Sequence, residues 1–136
     1  MGALLASKQL IIGITSSALL QSKAHSTLIQ SYEKRKANVQ HFLRIFKPSL
    51  QVRCVEIDDP YGPTKDEEDI QALVVSRETR AGGEAVNRVR KENGLSELAM
   101  FLIDVISPSE MNIQGEGALK EKKLSSSFIR QWIANR

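Results

Sequence analysis

The sequence predicts an α/β fold, a parallel sheet with helices on both faces, and three observations carry that expectation. Short β-branched apolar runs alternate with helical stretches in the order β-α-β-α-β-α-β-α. Connections of that kind are the crossovers that parallel strands require. Polar clusters rich in hydroxyls, glycine and arginine stand where apolar runs end, which is where open α/β sheets hold their ligands. The 136 residues are one domain's worth of chain, without internal repeats, low-complexity tracts or a separate linker.

Taken in order, Ala3-Leu4-Leu5-Ala6 reads as the remnant of a core helix. Gln9–Ile14 is a continuous apolar run, the pattern of a parallel strand buried on both faces. A helix is expected from about Thr27 to Phe46, with Leu28, Tyr32, Val39, Phe42, Leu43 and Phe46 near helical spacing and Pro48 stopping it. Val52–Ile57 alternates with period two and reads as a strand with one more polar face. Asp58 to Thr64 is dense in turn formers, and the acidic run Asp66–Asp69 is expected to begin a short helical turn. Ala72–Val75 is a third strand, Gly83–Asn93 a helix stopped by Gly94, and Ala99–Ile106 a fourth strand. Pro108–Lys122 lacks apolar periodicity and reads as a polar loop, after which a final helix opens at Ser125-Ser126-Ser127.

Composition narrows the partners. Nineteen basic residues against 16 acidic ones leave a net charge of +3, too even a mixture to imply nucleic acid and equally suited to small anions. Aromatic residues make up only 5%, so the interleaved stacking platform of a nucleic-acid binder is lacking. No apolar run reaches the roughly 20 residues of a membrane span. A single cysteine, Cys54, rules out an internal disulfide or a multi-cysteine metal site and suits a reducing, cytoplasmic setting.

Four polar clusters follow strands: Thr15-Ser16-Ser17, Asp59 to Thr64, Ser76-Arg77-Glu78-Thr79 and the serine triplet. Singly, each is no more than the polar end that every strand needs; together they would line one carboxyl edge of a parallel sheet. Ser125 or Ser126 can cap the last helix while its free N–H groups face a phosphate, with Lys123 and Arg130 as cationic donors. Serines before a helix are most often only a cap. The Gly82-Gly83 pair precedes a helix bearing Asn87, Arg88 and Arg90, for which a solvated charged face is the default reading. Lys23 follows the first strand and can reach an anion across the sheet edge; by itself it is an ordinary surface lysine.

Leu19-Leu20-Gln21-Ser22-Lys23, Tyr32-Glu33-Lys34-Arg35, Asp59-Pro60-Tyr61-Gly62-Pro63-Thr64, Val74 to Thr79, Gly82-Gly83, Val86-Asn87-Arg88, Asn93-Gly94-Leu95 and Lys123 to Ser127 occur in succession. In that order the chain resembles the eukaryotic pantetheine-phosphate adenylyltransferases from Leu4 to Ile133. The resemblance implies a Rossmann-like nucleotidyltransferase fold and transfer of AMP from ATP to 4'-phosphopantetheine, giving dephospho-coenzyme A and pyrophosphate. It implies magnesium accompanying the nucleotide. It also implies ATP phosphates at Lys123, Ser125, Ser126, Ser127 and Arg130, a nucleotide pocket shaped by Ser76, Glu78 and Thr79, the acceptor phosphate at Lys23, and a pantetheine wall at Tyr61 and Gly62.

One departure bears on activity. Members of this family open with a strand ending in a Gly-Gly-Thr-Phe-Asp type turn and a His-x-Gly-His motif at the start of the first helix. The only histidines here, His25 and His41, have neighbours that do not fit that motif. Losing even one donor to the transferring phosphorus commonly costs about 10² or more in rate. The chain is therefore read as having lost its front part, with the first strand and the start of the motif helix missing. Loss of that central strand would leave two strand edges uncovered. The alternative expectation is a non-catalytic nucleotide-binding or interaction protein derived from the enzyme.

Overall fold

The computed structural model describes residues 1–104 and 125–136. Four strands and five α-helices are described: α1 (Gly2–Leu5), β1 (Gln9–Thr15), α2 (Ser17–Leu20), α3 (Tyr32–Phe46), β2 (Gln51–Ile57), β3 (Ala72–Ser76), α4 (Arg80–Glu92), β4 (Ala99–Ile103) and α5 (Ser126–Ala134). The expected α/β class and parallel pairing are present, with helices on both faces. β1 pairs with β2 from Gln9↔Gln51 to Thr15↔Ile57, and β3 with β4 from Ala72↔Ala99 to Ser76↔Ile103. Among the described residues the strands form two two-stranded sheets, β1-β2 and β3-β4, with no ladder between them.

Alternation along the strands decides what covers each face. Leu10 and Ile12 of β1 and Val52 of β2 pack with Val39 of α3 around a small core of Ala3, Leu43 and Leu50. Lys47, just past α3, donates from Nζ to the carbonyls of Ala3 (2.9 Å) and Ala6 (2.7 Å), fastening α1 to this layer. The opposite face, with Arg53 and Ile57, receives the connection from β2 to β3. A Cβ at Gly62 would run into the Ile57 side chain, and Gly62 has φ +54°, so this close reversal requires glycine. Further along, Arg53 pairs with Glu67 at 2.5 Å.

α4 covers the β3-β4 sheet on the apolar side of Val86 (5% exposed). It ends in paired reverse bonds, Gly94 N–H to the Lys91 carbonyl (3.1 Å) and Leu95 N–H to that of Arg90 (2.9 Å), with Gly94 at φ +73°. Gly94 is thus the stop that the sequence indicates. The helix expected from Gly83 begins earlier, at Arg80, so the Gly82-Gly83 pair lies inside it. Gly83 serves proximity: a Cβ there would come within 2.9 Å of Met100 Sδ and 3.3 Å of Val75 Cγ1.

Other boundaries differ for local reasons. The long helix expected from Thr27 is divided, with a 3-10 turn at Ser26–Leu28 and α3 beginning at Tyr32, where the Ser31 hydroxyl accepts the Lys34 N–H at 3.4 Å. The helical turn expected from Asp66 falls earlier, at Gly62–Lys65, where Pro63 fits the first turn and Asp59 organises the loop. β1 was expected to be buried on both faces, yet only Ile14 is buried in it. β4 ends at Ile103, and the Pro108–Lys122 segment lies outside the described residues.

An open apolar cleft of about 620 Å³ separates the two sheets on the α3 side. Leu10 and Ile12 of β1, Val74 of β3 and Phe42 of α3 line it. No helix among the described residues is long and apolar enough to cross a membrane.

Candidate functional site

The loop after β2 is built on one carboxylate. Asp59 Oδ1 accepts the N–H groups of Tyr61 (2.7 Å) and Gly62 (2.6 Å), while Oδ2 takes Lys65 Nζ at 2.7 Å. The lysine bond and then the two backbone donors hold its pKa down from 3.8 to about 2. Thr64 Oγ1 closes the turn on the Tyr61 carbonyl. Tyr61 and Gly62 are half-buried and fixed by Asp59, whose part in the turn is not visible from its place in the sequence.

After β3, Ser76 and Thr79 form a reciprocal cap. Ser76 N–H donates to Thr79 Oγ1 at 3.0 Å, and the two hydroxyls lie 3.1 Å apart. Their geometry is that of a cap that keeps both hydroxyls at the exposed carboxyl end of β3. Glu78 stands on the same exposed turn. Arg77 Nε reaches Asp104 at 2.5 Å and ties the ends of β3 and β4 together.

In the last helix Ser125 is the cap, accepting the Phe128 N–H at 3.2 Å, and Ser126 and Ser127 are exposed on the first turn. Arg130 donates from Nε to the Ala24 carbonyl at 3.1 Å and from Nη2 to Ser127 Oγ at 3.2 Å. That contact spans 106 positions of sequence and brings the N-terminal end of α5 beside the exposed Lys23 turn. The guanidinium, expected to be a phosphate donor, is engaged with protein acceptors here. Lys123 lies outside the described residues.

The most consequential difference concerns α4. Its polar residues were expected to form a solvated face, but Arg90 is fully buried, at 0% exposure. Nε donates to the Ser96 carbonyl (2.7 Å), and Nη1 to those of Thr64 (2.7 Å) and Glu67 (2.8 Å). Asn87 bonds both backbone groups of Leu98, donating to its carbonyl at 3.0 Å and accepting its N–H at 2.8 Å. Three carbonyls converging on one cation offset the desolvation of its charge. The signal was present in the spacing: Asn87, Arg90 and Asn93 recur every third residue on one helical face.

His25 and His41 are both exposed, as expected for bland residues, and His25 adopts φ +54°. Among the described residues no group of three or more His, Cys, Asp or Glu side chains is placed to hold a metal. The Cys54 thiol is pushed up from 9.0 by burial, against a smaller pull from Lys36.

Comparison with known proteins sets this geometry beside named ones. The chain is 41% identical over 127 residues to a phosphopantetheine adenylyltransferase of Saccharomyces cerevisiae, which covers 93% of this chain and 40% of that protein. It is 37% identical over 128 residues to an uncharacterized protein of Schizosaccharomyces pombe, with the same coverage of 93% and 40%. A phosphopantetheine adenylyltransferase of Pyrococcus horikoshii is 34% identical over 125 residues, covering 90% of this chain and 71% of that one. The chain thus spans 40% of the length of the two fungal relatives. A crystal structure of a protein of unknown function from Archaeoglobus fulgidus superposes with a TM-score of 0.57 at 25% identity, over 71% of this chain and 76% of that one. No family model matches.

Proposed function

Because this chain belongs to the phosphopantetheine adenylyltransferase family, we propose that its site serves transfer of AMP from ATP to 4'-phosphopantetheine, yielding dephospho-coenzyme A and pyrophosphate in coenzyme A synthesis. The observation that carries this reading is the Arg130 contact with Ala24, which draws the capped start of α5 beside Lys23. A nucleotide phosphate at that helix start and an acceptor phosphate at Lys23 would then be neighbours, as in-line attack on the α-phosphorus demands.

In this reading Lys123, Ser125, Ser126 and Ser127 hold the ATP phosphates through backbone N–H groups and hydroxyls, with Arg130 keeping the helix start in place. Ser76, Glu78 and Thr79 shape the nucleotide pocket, and Tyr61 and Gly62 form a wall on the pantetheine side. No covalent intermediate is needed; the phosphopantetheine phosphate displaces pyrophosphate directly. Magnesium would arrive on the ATP phosphates. A cytoplasmic setting fits these substrates.

The histidine pattern favours a second reading, binding without turnover, because neither His25 nor His41 stands in a His-x-Gly-His sequence. One experiment separates the two. Calorimetric titration of the chain with magnesium-ATP is run beside an assay for dephospho-coenzyme A. Saturable binding with turnover supports the first reading, and saturable binding without turnover the second; absence of binding removes both.

A further inference from the structure

The two sheets share no ladder among the described residues, yet the proposed site takes Lys23 from the turn after α2 in the first half and Ser76 and Thr79 from the end of β3 in the second. Something must hold the two halves in one arrangement. The connection from β2 to β3 is seated on the first half by Gly62 against Ile57 and by Glu67 on Arg53. Its backbone carbonyls at Thr64 and Glu67 are taken by Arg90, whose helix covers the second half. Nε of the same guanidinium takes Ser96, on the turn leading into β4. One planar cation thus grips both sides of the divide. Asn93 adds a longer bond, 3.3 Å, to the Lys65 carbonyl.

We propose that Arg90 is the positioning residue that locks the two half-sheets into one body, and so keeps the Lys23 turn and the β3 end of the site facing one another; its consequence for ligand rests on the function proposed above. The guanidinium suits the task because it donates along several fixed directions in one plane. An ammonium, a point charge on a flexible stem, cannot grip both segments in that geometry. Asn87 is the internal control: it lies on the same helix, but its bonds go only to Leu98, within the second half.

The test uses the full chain with Cys54→Ala and spin labels at Ser49→Cys and Arg88→Cys, exposed positions on the first and second halves. The label-to-label distance distribution is measured with Arg90 intact and in Arg90→Met, Arg90→Lys and Asn87→Ala. A narrow distribution is expected with Arg90 intact and in Asn87→Ala, a broad one in Arg90→Met, and an intermediate one in Arg90→Lys. Arg90→Lys keeps the charge, so it decides the matter if the methionine variant unfolds. Distributions as narrow in both Arg90 variants as with Arg90 intact would overturn the proposal, as would equal broadening in Asn87→Ala.

Titration with magnesium-ATP and with 4'-phosphopantetheine supplies the second readout. Affinity is expected to fall about tenfold or more in the Arg90 variants and to stay within about twofold in Asn87→Ala. If the unsubstituted chain binds neither ligand while the distances respond as stated, the functional reading falls and the bracket stands. If it binds both and the distances ignore Arg90, the reverse holds.

Discussion

On one face of the β1-β2 sheet, the Asp59 loop and the C-terminal end of α4 are joined by charge-assisted hydrogen bonds to backbone groups. On the other, α1 and α3 meet the sheet through Ala3, Leu43 and Leu50, and the layer then opens into the apolar cleft. Phe42 and Phe46 stack at 5.6 Å on that side while remaining 61% and 48% exposed. Most hydrophobic side chains of α3 therefore contribute less than their composition suggests. The polar face gains more from few residues, because the fully buried Arg90 gives three charge-assisted bonds to partly buried carbonyls, each worth more than a neutral hydrogen bond.

That contrast is sharpest in a pair of substitutions. Arg90→Met leaves three carbonyls without their donor and should destabilise the chain by roughly 3 kcal/mol or more. Leu43→Ala removes a side chain that is 5% exposed in a core bordering an open cleft, where neighbours can relax, and should cost about 2 kcal/mol, the low end for such deletions. Urea unfolding of both variants checks the order; a larger loss from Leu43→Ala would reverse the comparison.

Smaller effects refine it. Gly83→Val forces a branched side chain toward Met100 and Val75 and should cost roughly 1 to 3 kcal/mol by overpacking, read as a drop in Tm. Phe42→Ser should change stability by under about 1 kcal/mol, since most of the ring faces water, as urea unfolding would read. A loss of several kcal/mol would show that the cleft side is better packed than its exposure indicates.

The smallest effect is one of pH. Asp59 in the folded chain ionises at about 2, below its usual 3.8, so its contribution is complete above about pH 4. As pH falls toward 2 the unfolded state takes up the proton first, and that contribution is lost. Amide exchange at Tyr61 and Gly62, followed by NMR at decreasing pH and corrected for the intrinsic rate, should show their protection fading in that window. Asp59→Asn should remove this pH dependence.

Much of the architecture was legible along the chain. Strand and helix order, Pro48, Gly94 and the Ser125 cap are local: each follows from backbone chemistry within a few residues. Where structure departs from sequence expectation, the deciding partner is distant. Arg90 looked like a solvated charge because its carbonyl partners at Thr64 and Glu67 lie 26 and 23 positions away. Gly82-Gly83 reads as the start of a helix because nothing local shows Met100 and Val75 pressing on Gly83 inside it. Within the candidate site, the hydroxyl clusters at Ser76–Thr79 and Ser125–Ser127 were visible as caps, but the partner of Arg130 was not.

The sequence by itself determined the α/β class, the succession of elements, the parallel pairing and the family, since periodicity, caps and motif order are written in neighbouring residues. Tertiary structure alone decided that the strands divide into two sheets, that one face is closed by polar bonds and the other by a partly exposed apolar layer, and that Arg90 takes carbonyls from both the β2–β3 connection and the turn into β4. Hydrogen bonds and burial depend on which distant backbone groups meet a side chain, and that meeting exists only once the chain has folded.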